Sequence, residues 1–157
     1  MKNLLVCYLI ILSCNNLFAC DCEYGGDFLK VAPNKSLIAL IKVSNFIDEQ
    51  SMEVEIIEIF KGTEIRKSVT VWGDDGKSCL PYLSEFKKGK QYVIAFDIHK
   101  SSKNMGQDYE ISVCGQYWLE VKVIDQKTVA FSDVKNRETK LDIAVIRKKL
   151  KKINDKT

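Results

Sequence analysis

Residues 52–60 read MEVEIIEIF, and their alternation decides the predicted fold. Met52, Val54 and Ile56 fall on one side of an extended chain, and glutamates separate them. This alternation is typical of a β-strand with one face in a core and the other in water. The Lys61-Gly62 pair is expected to end the strand.

Further β-rich runs flank this strand and are separated by short turn signals. Five strands in a chain of this size favour a small closed barrel, because closure leaves no exposed strand edge. A later pair of runs is expected to add a short hairpin. The four other barrel runs are Leu37–Phe46, Ser68–Trp72, Gln91–Phe96 and Tyr109–Val113, and the hairpin runs are Trp118–Ile124 and Thr128–Phe131.

A helix is predicted at the C-terminus over residues 140–153. Thr139 would open it, with Asp142 three residues later as in a capping box. One face of the helix is apolar and the other is rich in lysine. The apolar face consists of Ile143, Ile146, Leu150 and Ile153.

Positive charge is concentrated in the C-terminal segment. Residues 140–156 hold seven basic and two acidic residues, whereas residues 20–139 have a net charge of −3. A nucleic-acid partner is therefore not expected, because its binding needs a basic surface on the fold itself. The stretch Arg147–Lys152 (RKKLKK) suits an anionic membrane surface, although a solvated helix face is the commoner use of such a sequence.

The N-terminus has the pattern of an export signal. A basic start at Lys2 precedes the apolar run Leu4–Leu12, and a more polar stretch ends at Ala19. The apolar run is too short for a stable membrane span, which needs about 20 residues. Cleavage after Ala19 would leave one domain, residues 20–157, secreted or in the periplasm.

Four cysteines remain after this cleavage, and in an exported chain they predict two disulfides. A bond between Cys20 and Cys22 would be strained. Two pairings are left open, and each joins the new N-terminus to both Cys79 and Cys114. A zinc site is the alternative use of the four thiols. With two disulfides formed, the chain would begin with a rigid end that carries a free amine and consists of Cys20, Asp21 and Cys22.

Enzymatic activity is not predicted. The single histidine, His99, lies in a polar loop, and no pattern places it beside a nucleophile. The sequence contains no phosphate-binding loop, no His-Glu-x-x-His and no Gly-x-Ser-x-Gly. No cofactor is expected, and a monomer is the simplest state.

Together these elements resemble the N-terminal, netrin-like domain of the tissue inhibitors of metalloproteinases. The resemblance covers residues 20–118. It rests on the Cys-Asp-Cys start, the order of the strands and the positions of the later cysteines. The matching stretches are IALIKVSNF, MEVEIIEIFKG, KSC, GKQYVIAF and YEISVCG.

The resemblance implies a five-stranded barrel of the oligonucleotide/oligosaccharide-binding type and two disulfides, Cys20–Cys79 and Cys22–Cys114. It implies that the amine and carbonyl of Cys20 chelate the catalytic zinc of a target metalloprotease. Asp21 would point into the substrate pocket, with Ser78, Cys79 and Leu80 beside it. The inhibitor itself would hold no metal.

An alternative fate of the same cysteine leads to a different function. Residues 17–20 (LFAC) resemble a bacterial lipobox, and a lipid on Cys20 would block both its sulfur and its amine. The protein would then be a binding module anchored in the cell envelope, without inhibitory activity. Contact with a membrane is expected only in this lipidated form.

Overall fold

The structure, a computed structural model, describes residues 21–76, 78–100, 108–134 and 137–154. Among these residues no helix is long and apolar enough to cross a bilayer. Short 3-10 turns lie at Ala32–Asn34 and Leu83–Glu85. The helices are α1 (Phe28–Val31) and α2 (Ile143–Asn154), and the strands are β1 (Leu37–Phe46), β2 (Ser51–Lys61), β3 (Ser68–Trp72), β4 (Gln91–Ile98), β5 (Tyr109–Glu110), β6 (Trp118–Ile124), β7 (Lys127–Val134) and β8 (Arg137–Asp142).

The first five strands close into a barrel. β1 pairs with β2, β2 with β3, β3 with β5, β5 with β4, and β4 again with β1. All pairings are antiparallel except β3–β5. Register shifts along β1 against β2 bend the strand so that it can pair on both sides. The predicted five-stranded closed barrel is confirmed.

The alternation in β2 places the core as expected. Met52 and Val54 are fully buried, whereas Glu53 and Glu55 are exposed. Helix α1, which the sequence analysis did not predict, adds Phe28 to the core. The hydrophobic core therefore extends from the barrel interior to the segment that follows the predicted N-terminus.

The predicted hairpin is confirmed as β6–β7, and it extends the sheet outward from β4. A third outer strand, β8, was missed because residues 140–142 were assigned to the helix. The whole of β8 pairs with β7, so that Thr139 lies opposite Ser132 instead of capping a helix.

Helix α2 begins at Ile143, and its first turn is capped by Asp142. The Asp142 Oδ1 atom accepts a 2.7 Å hydrogen bond from the Ala144 N–H. Ile143, Ile146 and Leu150 are buried as predicted. The side chain of Ile153, assigned to the same face, lies outside the described residues.

The fifth barrel strand is shorter than predicted. Only Tyr109 and Glu110 pair in β5, whereas the run was expected to reach Val113. Beyond Glu110 the backbone bonds to a loop instead of a strand, since the Val113 N–H donates to the Cys79 carbonyl at 3.0 Å. This departure from the sheet brings Cys114 to the candidate site.

Candidate functional site

Three chain segments distant in sequence meet around Cys22, Cys79 and Cys114. We call these cysteines and their neighbours in sequence, residues 21–26, 78–82 and 113–116, the cysteine junction. The Sγ atoms of Cys22, Cys79 and Cys114 all lie within 4.8 Å of one another. Cys22 and Cys114 form a disulfide across 92 positions of sequence. The junction therefore fixes the chain immediately after the predicted N-terminus.

Backbone hydrogen bonds reinforce the disulfide. The Gly25 N–H donates to the Cys114 carbonyl at 2.8 Å, and the Gln116 N–H donates to the Gly26 carbonyl at 3.0 Å. A Cβ at Gly25 would lie 3.1 Å from the same Cys114 oxygen, so glycine permits this close approach. The N-terminal segment is bonded to residues 114–116 at three points.

A buried amide ties the junction to the core. The Gln116 side chain accepts a 3.1 Å hydrogen bond from the Phe28 N–H, and both residues are buried. Phe28 opens α1 and packs in the hydrophobic core. Residues 22–28 are thus held at both ends, by the disulfide at one end and by the core at the other.

The second segment follows a turn that its own aspartates stabilise. Asp74 accepts a hydrogen bond from the Gly76 N–H at 3.0 Å, and Asp75 accepts one from the Ser78 N–H at 2.7 Å. The Leu80 N–H donates to the Ser78 carbonyl at 2.9 Å. The backbone of the predicted contact residues Ser78 to Leu80 is therefore ordered by local bonds and by Val113.

The junction presents a mixed polar and apolar surface. Asp21, Cys22 and Ser78 are exposed, and Leu80 is half-buried. Tyr82 is 68% exposed, and Val113 is 36% exposed. Neither of these two residues was predicted from the sequence, because an exposed aromatic or aliphatic residue has no pattern in sequence that separates it from a buried one.

The predicted site residues are brought together only in part. Cys22, Cys79 and Cys114 converge, and the predicted Cys22–Cys114 disulfide is confirmed. Cys79 is also disulfide-bonded. Cys20 lies outside the described residues, and the predicted Cys20–Cys79 bond lies outside them too. Because Cys22 and Cys114 are bonded to each other, neither offers a thiolate for the alternative zinc site.

A second cluster, missed by the sequence analysis, joins the ends of β3, β4 and β5. The His99 Nδ1 atom lies 2.7 Å from Glu110 Oε2, and the His99 ring stacks on Trp72 at 5.3 Å between centroids. The Trp72 Nε1–H donates to Asp108 at 3.2 Å. The Glu110 carboxylate orients the His99 ring, and the Asp108 carboxylate orients the Trp72 ring. The only sequence signal was the presence of His99 itself, because its partners come from separate strands.

A scan against protein-family models finds no match for this chain, and a search of curated proteins finds no similar sequence.

Proposed function

We propose that this protein is an exported inhibitor of zinc endopeptidases and that its working group is the N-terminal Cys20 of the mature chain. The observation that supports it is the Cys22–Cys114 disulfide, which fixes the chain two residues after the proposed terminus. The zinc belongs to the target enzyme. The inhibitor supplies two donor atoms, the amine nitrogen and the carbonyl oxygen of Cys20.

The chemistry of an α-amine suits this role. Its pKa is about 7.7–8.0, so a useful fraction is neutral at mild pH and can donate an electron pair to a metal. The amine nitrogen and the carbonyl oxygen of one residue close a small chelate ring. A catalytic zinc keeps one position open for water or substrate, and such a chelate can occupy it.

Rigidity of the chain end is the second requirement. A flexible terminus would lose conformational entropy on binding, and this loss would weaken the complex. Here residue 22 is fixed by the disulfide, and Gly25 and Gly26 are fixed by backbone bonds. Little freedom remains to be lost in the segment that follows the chelating residue.

The surface beside the terminus offers contacts for a target. Val113 is an exposed aliphatic side chain and Tyr82 an exposed aromatic one, and aromatic side chains are enriched in protein interfaces. Asp21 and Ser78 add exposed polar groups to the same junction. We infer that Ser78, Cys79, Leu80 and Tyr82 contact the rim of the target's substrate cleft.

The test is inhibition of a panel of zinc endopeptidases by the chain that begins at Cys20. We expect inhibition by this form and none by a form with one alanine added before Cys20, because the added residue removes the free amine from the chelate. A form with one alanine added after Thr157 is the matched control and should inhibit fully. Equal inhibition by both extended forms would refute the amine as the working group.

Intact-mass measurement of the exported protein separates this function from the lipid-anchored alternative. If the signal is cleaved and no lipid is added, the two disulfides lower the mass of the mature chain by four hydrogens. A lipid on Cys20 would instead add the mass of its acyl groups. A lipidated mature protein would refute zinc chelation, because the lipid occupies the groups that the mechanism needs.

A further inference from the structure

Helix α2 presents a cationic outer face that the barrel does not use. Ile143, Ile146 and Leu150 are buried beneath it. Lys148, Lys149, Lys151 and Lys152 are all exposed. In the part of the chain that the structure describes, none of these four lysines forms a salt bridge.

The neighbouring arginine has a different role. Arg147 donates hydrogen bonds to both carboxylate oxygens of Glu58, at 2.7 and 2.8 Å. This ion pair joins α2 to β2, and the Glu58 carboxylate balances the positive charge of the arginine. The helix thus uses one cation to dock on the barrel and leaves four lysines facing water.

An apolar side chain lies among the exposed lysines. Val145 is 43% exposed. Val145, Lys148, Lys149 and Lys152 follow the spacing i, i+3, i+4 and i+7, which places them on one stripe of the helix. The stripe lies opposite the buried side chains and runs along a helix about 18 Å long.

We propose that this stripe, together with Lys151, is a docking surface for a membrane that contains anionic phospholipids. The lysine ammonium groups would contact the headgroup phosphates, and Val145 would enter the interface between headgroups and acyl chains. A soluble polyanion would gain nothing from Val145. The charge distribution favours an orientation with α2 towards the membrane, because the rest of the mature chain has a net charge of −3 and is repelled by the anionic headgroups. This contact needs no lipid on Cys20, unlike the membrane contact that the sequence led us to expect only for the lipidated form.

Vesicle co-sedimentation of the non-lipidated chain that begins at Cys20 tests the proposal. We expect binding to phosphatidylcholine vesicles that contain phosphatidylglycerol, weakening with added salt, and no binding to pure phosphatidylcholine. Each lysine near an anionic membrane surface raises the affinity for the membrane about five-fold. Changing Lys148, Lys149, Lys151 and Lys152 to Gln should therefore lower the affinity for the vesicles by several hundred-fold at low salt.

The matched control removes four positive charges elsewhere. Lys67, Lys87, Lys88 and Lys90 are exposed and lie outside α2, and changing them to Gln should leave vesicle binding nearly unchanged. An equal loss in both variants would overturn the proposal, because it would show a dependence on net charge alone. If the α2 variant fails to fold, Lys148→Gln with Lys152→Gln, compared with Lys87→Gln and Lys88→Gln, tests the same difference with two charges removed from each variant.

Val145→Ser separates a membrane from a soluble polyanion. It should weaken binding to the anionic vesicles and leave binding to heparin unchanged, because only the bilayer offers an apolar layer. Binding to heparin without binding to vesicles would overturn the proposal. Vesicle binding that is indifferent to Val145→Ser and to the lysine changes would overturn it as well.

Discussion

The Tyr109 hydroxyl donates a 2.8 Å hydrogen bond to Glu64 Oε2 and so joins the shortest strand of the barrel to the β2–β3 connection. Glu64 also pairs with Arg66 through both carboxylate oxygens, at 3.0 and 2.7 Å. Tyr109 is only 2% exposed. Strand β5 pairs through just two residues, so this side-chain network supplies contacts that its ladder lacks.

Tyr109→Phe should lower the free energy of unfolding by about 2 kcal/mol, because it removes a hydrogen bond to a charged acceptor that is shielded from water. Urea unfolding monitored by fluorescence measures the change. Tyr82→Phe is the control, since the Tyr82 side chain is exposed and should tolerate the loss of its hydroxyl. An equal loss in the two variants would contradict a specific role for the Tyr109–Glu64 bond.

Acid should destabilise the fold partly through Glu64. Its hydrogen bonds with Arg66 are the main cause that lowers the pKa of Glu64 from 4.5 to about 2. A carboxyl whose pKa is lower in the folded state stabilises the fold above the unfolded pKa, and this contribution is lost as the pH falls from 4.5 towards 2. Glu64→Gln should therefore flatten the fall in unfolding free energy over this range.

Urea unfolding at a series of pH values measures that slope. Glu49→Gln is the matched control, because Glu49 is an exposed glutamate in the β1–β2 connection. The same flattening in both variants would show that total charge, and not the network around Tyr109, governs the acid response.

Gly62→Ala should destabilise the protein strongly. Gly62 directly follows β2 and has a φ of 87°, and a Cβ there would lie 2.4 Å from the Ser36 carbonyl oxygen. Gly89 has a φ of 80° with no atom within 4 Å of its Cβ position, so Gly89→Ala imposes the backbone strain alone. We expect about 1 kcal/mol for Gly89→Ala and at least ~2 kcal/mol more for Gly62→Ala. Similar thermal unfolding midpoints would contradict the steric argument.

The barrel was predictable because each strand shows its buried face in a short stretch of sequence. Alternation in residues 52–60 reports a buried face directly, and Met52 and Val54 are indeed buried. The start of α2 was not predictable in the same way. Thr139 is a good capping residue in sequence, but whether it caps a helix or pairs with Ser132 depends on where β7 lies, which is a tertiary fact.

The candidate site was partly visible for a similar reason. Cysteine spacing in a chain that is predicted to be exported limits which segments can meet, and Cys22 does meet Cys114. The contact of His99 with Trp72 and Glu110 depends on three strands lying side by side. No short-range sequence pattern indicates such a contact, so His99 was predicted to lie in a polar loop and its partners were not predicted.

Asp142→Ala should fray the first turn of α2 and lower the free energy of unfolding by about 1 kcal/mol, the usual contribution of a helix cap. Amide hydrogen exchange at Ala144 should accelerate, because the Ala144 N–H loses its acceptor. Asp142→Asn keeps a side-chain oxygen and should preserve most of the protection. Thr139→Ala should leave exchange in α2 unchanged, and faster exchange in that variant would restore Thr139 as the cap.

We expect Asp21 to set the selectivity of the proposed inhibitor. The resemblance to metalloproteinase inhibitors implies that this side chain enters the target's substrate pocket, where that family has a small neutral residue. Burying an unpaired carboxylate in an apolar pocket is unfavourable. Asp21→Ser should therefore strengthen inhibition of an endopeptidase with an apolar pocket by about ten-fold or more, which corresponds to at least ~1.4 kcal/mol.

The inhibition constant of each variant against one such endopeptidase measures this effect. Glu23→Ser is the matched control, since it removes the same charge from an exposed position on the other side of Cys22. A gain limited to Asp21→Ser would place the carboxylate in the pocket, because long-range repulsion would act on both positions alike. Weaker inhibition by Asp21→Ser would instead show that the carboxylate bonds a basic group of the target, and it would reverse the predicted preference.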